Sequence, residues 1–336
     1  MTRIWTEGWE LGDLIGYTNL YSFISGTARS GSYGLLVSLV GYLTKNTPDL
    51  SEAYLRFGYY QTGNMLYLPI QVRWRHGTTV LGILKINSAR ILELYVGSTL
   101  VATGTTVLYS STWYLIEIHI KIGNSPNGLL EVKLDGNAEF DYSDDTQPGA
   151  DAHFDNLLFE NPDGGSGANL YGYFDDMGLN DTAGGVDDSW CGEGKIIKIT
   201  PMDDVTTELT QFPALTDHHN DVDDYPADSD TTYVEGSVVD EEDKYELTAS
   251  GLVAADVASI NRVWCEARSK NTTANPGEVA LFIYSDATEG TGTDVVLSAS
   301  YVTKVMSQEF LQDPDGPAAW SVAALDALQG GIRTRD

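Results

Sequence analysis

The feature that most constrains this chain is a strict two-residue alternation between Trp113 and Tyr142, in WYLIEIHIKIGNSPNGLLEVKLDGNAEFDY. Ile116, Ile118 and Ile120 interleave with Glu117, His119 and Lys121; past Gly123–Gly128, Leu130, Val132 and Leu134 interleave with Glu131, Lys133 and Asp135. Successive side chains of a strand point to opposite faces, so this period predicts two half-buried strands. Their apolar residues should share one core. Glu117, Lys121, Glu131 and Lys133 should be exposed, with His119 a surface residue on the same phase. Asp135-Gly136-Asn137 reads as a tight hairpin turn, because Gly and Asn tolerate positive φ.

Elsewhere strand-like runs recur at spacings near ten residues, with Gly, Asn and Ser between them, as in sandwiches and jelly rolls. Trp5 and Trp9 are the expected anchors of the opening segment, YGLLVSLV (Tyr33 to Val40) a buried strand, and KNTPD (Lys45 to Asp49) a polar turn. Pro69 suggests an edge or a bulge. At 336 residues the chain exceeds what one core usually serves, so two domains are expected. The 34 glycines, 19 tyrosines and 7 tryptophans, with few helix-period segments, favour an all-β class. The reading is two β-sandwich or jelly-roll domains, residues 1–182 and 195–336, joined by a Gly/Asp-rich segment, 183–194. The second domain begins with an acidic strap, Thr216 to Val234. Ser321 is an N-cap before VAALDAL, which predicts one short C-terminal helix.

The Trp-led strand, the Asp-Gly hairpin and the LYGYFDDMGLND strand (Leu170 to Asp181) resemble the laminin-G-like and concanavalin-like jelly rolls. Further on come KIIKITP (Lys195 to Pro201), DDYPADSDTTYV (Asp223 to Val234), DKYEL (Asp243 to Leu247), Ile260 to Arg268, and the terminal run Asp313 to Arg333. That order resembles virion structural proteins of tailed bacteriophages and prophages. The resemblance implies a non-enzymatic structural protein on the particle exterior, as capsid decoration or as a tail or fibre component. It further implies a homo-oligomer among other virion proteins of capsid or tail, localised to the virion after synthesis in the host cytoplasm. The alternative is a carbohydrate-binding adhesin module that reads host-surface glycans.

The 49 acidic and 19 basic residues give a formal charge of −30. Clustered Lys and Arg are needed to neutralise phosphates, so no nucleic-acid partner is expected. No stretch approaches the roughly 20 apolar residues of a membrane span, so no membrane insertion is expected. Cys191 and Cys265 stand in no CxxC spacing, which excludes a disulfide framework and leaves a single bridge open, two buried thiols being the simpler reading.

Among 49 acids, chance carboxylate pairs abound; Glu117 with Glu131 fits solvated positions on neighbouring strands as well as it fits a glycosidase pair. No G-x-S-x-G elbow accompanies the five histidines. No catalytic residues and no obligate cofactor are therefore expected. The resemblance to laminin-G-like jelly rolls, some of which hold Ca²⁺ on the rim, implies Asp141, Asp144, Asp145, Asp175 and Asp176 as candidate Ca²⁺ ligands. His218 and His219 among Asp217, Asp221, Asp223 and Asp224 match no metal-site spacing and read as a solvated loop. Tyr59, Tyr60, Tyr67 and Trp74 are the aromatics that could stack on sugar C–H faces, of which Tyr60 and Trp74 are the glycan-binding candidates. Tyr225 and Tyr233 on the strap are the candidates for assembly contacts.

Overall fold

The computed structural model describes residues 3–62, 70–162, 171–214, 217–224, 226–228, 230–272, 276–301, 303–306, 309–316 and 318–336. Two compact units emerge: residues 1–10 with 17–197, and residues 11–16 with 198–336. The Gly/Asp-rich segment 183–194 packs within the first unit.

The first unit opens with β1 (Arg3–Glu7), β2 (Thr18–Ser25), β3 (Gly34–Leu50) and β4 (Glu52–Gln61). Next come β5 (Gln71–His76), β6 (Thr79–Ile86), β7 (Leu92–Val96), β8 (Thr99–Thr103) and β9 (Tyr114–Lys121). It closes with β10 (Leu129–Leu134), β11 (Asn137–Tyr142), β12 (Phe154–Glu160) and β13 (Gly172–Asp181). The pairing runs β11-β10-β9-β4-β13-β3-β12-β5-β6-β7-β8, with β1 on β13 and β2 on β3. Strand β3 pairs with β13 through Leu35–Val37 and with β12 through Tyr42–Leu50, so it passes from one sheet of the sandwich into the other. Phe159 of β12 meets Phe57 of β4 and Phe174 of β13 at ring distances of 5.9 and 5.3 Å, the aromatic seam between the two inner faces.

The alternation is kept. Ile116, Ile118, Ile120, Leu130, Val132 and Leu134 are all buried, and Leu130↔Ile120, Val132↔Ile118 and Leu134↔Ile116 face each other across β9 and β10. Asp135 and Gly136 both take positive φ, 48° and 77°, as a hairpin turn of the primed type requires. Trp5 and Trp9 are buried.

Two local expectations are corrected. KNTPD is not a turn but the bulged end of β3: Leu50 pairs with Phe154 and Asn46 with Asn156, so residues 47–49 oppose Asp155 alone. A bulge accommodates the missing N–H of Pro48. Trp74 is not a surface platform; it is fully buried opposite Gly82, where an added Cβ would fall 2.1 Å from the indole. Only a residue without a side chain leaves space for that ring.

The second unit is built on β14 (Pro201–Thr207), β15 (Thr210–Phe212), β16 (Tyr233–Glu235), β17 (Glu242–Leu247) and β18 (Glu266–Ser269). To these it adds β19 (Glu278–Ser285), β20 (Thr288–Thr291), β21 (Val295–Val296), β22 (Thr303–Met306), α1 (Val322–Asp326) and β23 (Gln329–Arg335). Its main sheet runs β14-β17-β23-β19-β20. Val263, Ile283, Phe310, Trp320, Leu325 and Leu328 form a core under it. Ser321 caps α1, its hydroxyl accepting from Ala324 N–H at 3.0 Å. Residues 195–200 are irregular; the regular pairing starts at Pro201. Both units are β-built, and α1 is a single short helix. No helix among the described residues is long and apolar enough to cross a membrane.

Ile118 lies fully inside the core between β9 and its neighbours. Ile118→Ala is expected to cost about 2–5 kcal/mol in urea denaturation, whereas Lys133→Ala on the opposite phase should stay within about 1 kcal/mol.

Candidate functional site

Each sheet of the first unit has a polar outer face, and the two differ in access. On the sheet of β3, β12, β5, β6 and β7, alternation sends Leu43, Leu157, Phe159, Val72, Trp74 and Leu84 inward. The register then aligns three outward rows. One is Tyr42–Glu160–Gln71–Lys85–Glu93, the next Thr44–Leu158–Arg73–Ile83–Tyr95, and the third Asn46–Asn156–Arg75. Three of the chain's 19 basic residues, Arg73, Arg75 and Lys85, thus share one face of a strongly acidic protein. Arg73 pairs with Glu160, which also accepts from Gln71 Nε2 at 2.5 Å. Burial raises the Glu160 carboxyl above its ordinary range, against the pull of Arg73, Gln71 and Arg75.

The third row ends in an open groove of about 660 Å³, lined by Thr44, Asn46, Thr47, Pro48, Asp49, Arg75, Gly77, Asp155 and Asn156. Its floor is rigid. Arg75 Nε donates to Asn156 Oδ1 at 2.7 Å, Asn156 Nδ2 donates to Gly77 O at 3.2 Å, and Gly77 N–H donates to Asp155 Oδ1 at 2.8 Å. The β3 bulge delivers Asp49 to the same rim. There one oxygen each of Asp49 and Asp155 and one ring nitrogen of His76 lie within 4.8 Å of one another. His76 Nδ1 is also 3.1 Å from Asp151 Oδ1. Neither Asp49, Arg75, His76 nor Asp155 stands out in the sequence: Asp49 and Arg75 are 26 positions apart and His76 and Asp155 are 79.

The polar face of the other sheet carries Tyr54, Arg56, Glu117, His119, Glu131 and Lys133, and residues 189–196 lie over it. Gly192 N–H donates to Glu117 Oε1 at 2.7 Å, Arg56 Nη1 to Gly192 O at 3.3 Å, and Asn180 Nδ2 to Ser189 O at 2.8 Å. Lys133 Nζ stands 3.8 Å from the centre of the Trp190 ring, which also packs edge-on against Tyr54. Glu117 and His119 are therefore buried, only 3% and 5% exposed, where alternation alone predicted solvent. His119 lies flat on Tyr54 at 4.1 Å, with Nε2 2.9 Å from Glu52 and Nδ1 2.7 Å from Glu131. Glu117 and Glu131 are thus engaged by separate partners rather than facing one cleft.

Asp175 and Asp176, on a bulge of β13, are fully buried, and hydrogen bonds within the first unit engage both carboxylates. Asp175 accepts from Arg29 N–H, Ser30 N–H and Asp176 N–H. Asp176 accepts from Arg29 Nη1 at 2.7 Å, Ser30 Oγ at 2.6 Å and Ile196 N–H at 2.7 Å. Asp141, Asp144 and Asp145 are exposed on the β11 side, so the five expected ligands do not form one set.

Tyr60 is half-buried and packs against Trp113 and Tyr173 at 5.2 and 5.6 Å. In the second unit, Tyr233 stacks on Phe212 at 4.9 Å; Tyr225 and Tyr67 lie outside the described residues, as does Pro69. The His218–Asp221 segment is a 3-10 turn, not a solvated loop. Asp204 accepts from His218 N–H and His219 N–H at 2.7 and 2.8 Å, and buried Asp243 meets His218 Nδ1 at 2.7 Å. Cys191 and Cys265 are free thiols.

The sequence matches no family model, and no curated protein matches it. Similar solved structures cover about half of the chain. A sialidase shares 11% identity over 53% of this chain with a TM-score of 0.41, and the match spans only 18% of the sialidase. An endo-β-1,4-glucuronan lyase from the fungus Trichoderma reesei shares 11% identity over 53% of this chain and 95% of its own, at 0.43. An alginate lyase from Aplysia kurodai shares 13% identity over 53% and 99%, at 0.42. These findings correct the expectation of a phage structural protein on the particle exterior: the similar structures named here are a sialidase and two lyases, not virion proteins.

The Asp175–Asp176 pair should make the stability of the first unit depend on pH. Burial, then the charge of Asp176, pushes Asp175 up to about 8, against the pull of its backbone donors. An unfolded aspartate titrates near pH 3.9. The folded form therefore holds the proton more tightly, and this stabilisation is complete below about pH 4 and lost as pH climbs through about 8. Asp175→Asn should flatten the fall in melting temperature between about pH 5 and about pH 8.5 relative to the unaltered chain; an unchanged slope would contradict the assignment.

Proposed function

We propose that the chain is a carbohydrate-binding protein that takes a hydroxyl-rich oligosaccharide in the groove between β3, β12 and the β5–β6 turn. One observation carries this reading: seven residues with hydroxyl, amide, carboxylate or guanidinium groups, Thr44, Asn46, Thr47, Asp49, Arg75, Asp155 and Asn156, line the open groove beside Pro48 and Gly77. Such groups pair with adjacent sugar hydroxyls as donors and acceptors at once. They are held on paired strands and cross-linked to one another, so little ordering entropy is lost when a ligand binds. The groove's volume lies in the range of small-molecule sites.

Binding without turnover fits these residues. Glycoside cleavage needs two carboxylates free to act on the sugar. Asp155 Oδ1 accepts from Gly77 N–H and Asn156 Nδ2 at 2.8 and 2.7 Å, which ties this carboxylate into the groove wall.

A glycan array followed by calorimetry on the best ligand tests the reading. Arg75→Ala and Asn46→Ala should each weaken binding about tenfold or more, equivalent to about 1.4 kcal/mol. Tyr60→Ala, on the other sheet, should leave affinity unchanged, and no new reducing ends should appear during incubation. Binding that survives Arg75→Ala and fails in Tyr60→Ala would place the site elsewhere, and an array without any retained glycan would remove the reading.

A further inference from the structure

We propose that Asp49, His76 and Asp155 bind one divalent transition-metal ion, of the Zn²⁺ or Mn²⁺ class, at the rim of the groove. The proposal rests on the geometry of the rim and stands whether or not the groove takes a sugar.

The three donor atoms converge within 4.8 Å from three separate elements, the bulged end of β3, the end of β5 and the start of β12. Ligand atoms about 2.0–2.4 Å from an ion lie up to about 4–4.8 Å apart, so the trio has the span of a single coordination sphere. This is not a run of neighbouring acids on one solvated loop: the pairings Asn156↔Asn46 and Asn156↔Arg75 bring the elements together. Two carboxylates held this close repel in a chain of formal charge −30. The nearest guanidinium in the groove, Arg75, gives its Nε to Asn156, and His76 Nδ1 faces a further carboxylate, Asp151. A divalent ion offsets that local excess of negative charge.

The donor types select the class. Ca²⁺ and Mg²⁺ take oxygen ligands, whereas an imidazole beside two carboxylates suits Zn²⁺, Mn²⁺ and their neighbours. Carboxylates beside a ligating histidine commonly orient its ring, and Asp151, 3.1 Å from His76 Nδ1, is near enough to do so for an imidazole that ligates through Nε2. Asp49 is exposed, which gives an ion a path in from solvent. Three protein ligands leave coordination positions for water or for a ligand oxygen.

Titration calorimetry of the full chain with ZnCl₂ and with MnCl₂ reads the site directly, without any glycan. About 150 mM NaCl and about 1 mM Mg²⁺ screen diffuse binding to the acidic surface. One equivalent should bind, and His76→Ala and Asp49→Asn should each weaken it tenfold or more while leaving the ion-free melting curve in place. Pulsed electron paramagnetic resonance of Mn²⁺ on the unaltered chain should show coupling to one imidazole nitrogen, which covers the case of a variant that misfolds. Absence of saturable binding, binding indifferent to both substitutions, or bound Mn²⁺ with no nitrogen coupling would each overturn the proposal. Loss of glycan binding with intact metal binding would instead count against the carbohydrate reading alone.

Discussion

The first unit depends on one strand belonging to two sheets. Seventeen residues long, β3 pairs with β13 at its start and with β12 at its end. Val40, at φ 53°, sits between those two pairings, and the residues opposite Asp155 bulge outward before Leu50 returns to the core. Because side chains alternate across a strand, these irregularities decide which groups reach the surface. Thr44 and Asn46 join the outward rows, Leu43 enters the core, and the bulge carries Thr47 and Asp49 to the groove. Phe159, packed on Phe57 and Phe174, holds the second sheet against the first. A β3 ending in a turn after Val40 would have formed neither the groove nor the rim.

The two polar faces show how the same alternation leads to different ends. On the β4–β9–β10 face, the chain returns after β13 and lies over Glu117, His119 and Arg56. Every polar group placed out of water there needs a partner, and the structure provides them: Gly192 N–H for Glu117, two glutamates for His119, and Gly192 O with Asp176 O for Arg56. That face is sealed and its chemistry spent internally. On the β12–β5–β6 face nothing among the described residues of this unit plays that part, and the polar rows end in a cavity open to solvent.

Period-two patterning made the strands from Tyr114 to Tyr142, their hairpin and the all-β class legible in the sequence. It recorded which residues share a face, but not what later covers that face, so Glu117 and His119 were read as solvated. Trp74 was misread for the complementary reason: its phase placed it inward, and the space it fills is created by Gly82 on a neighbouring strand. Asp175 and Asp176 looked like rim ligands because a doublet of aspartates carries no sign of burial; their partners Arg29, Ser30 and Ile196 lie far off in the chain. The groove was hidden most completely. Its side chains come from three stretches, one of which, KNTPD, has the composition of a turn. Distant pairing overrode that local preference.

The central claim is that the open face, not the sealed one, receives the ligand. Amide chemical-shift mapping of the isotopically labelled chain, titrated with the oligosaccharide that a glycan array selects, measures this most directly. The account predicts that perturbations concentrate at Thr44 to Asp49, Arg75 to Gly77 and Asp155 to Asn156. Perturbations centred instead on Tyr54, His119, Lys133 and Trp190, with the groove silent, would contradict it.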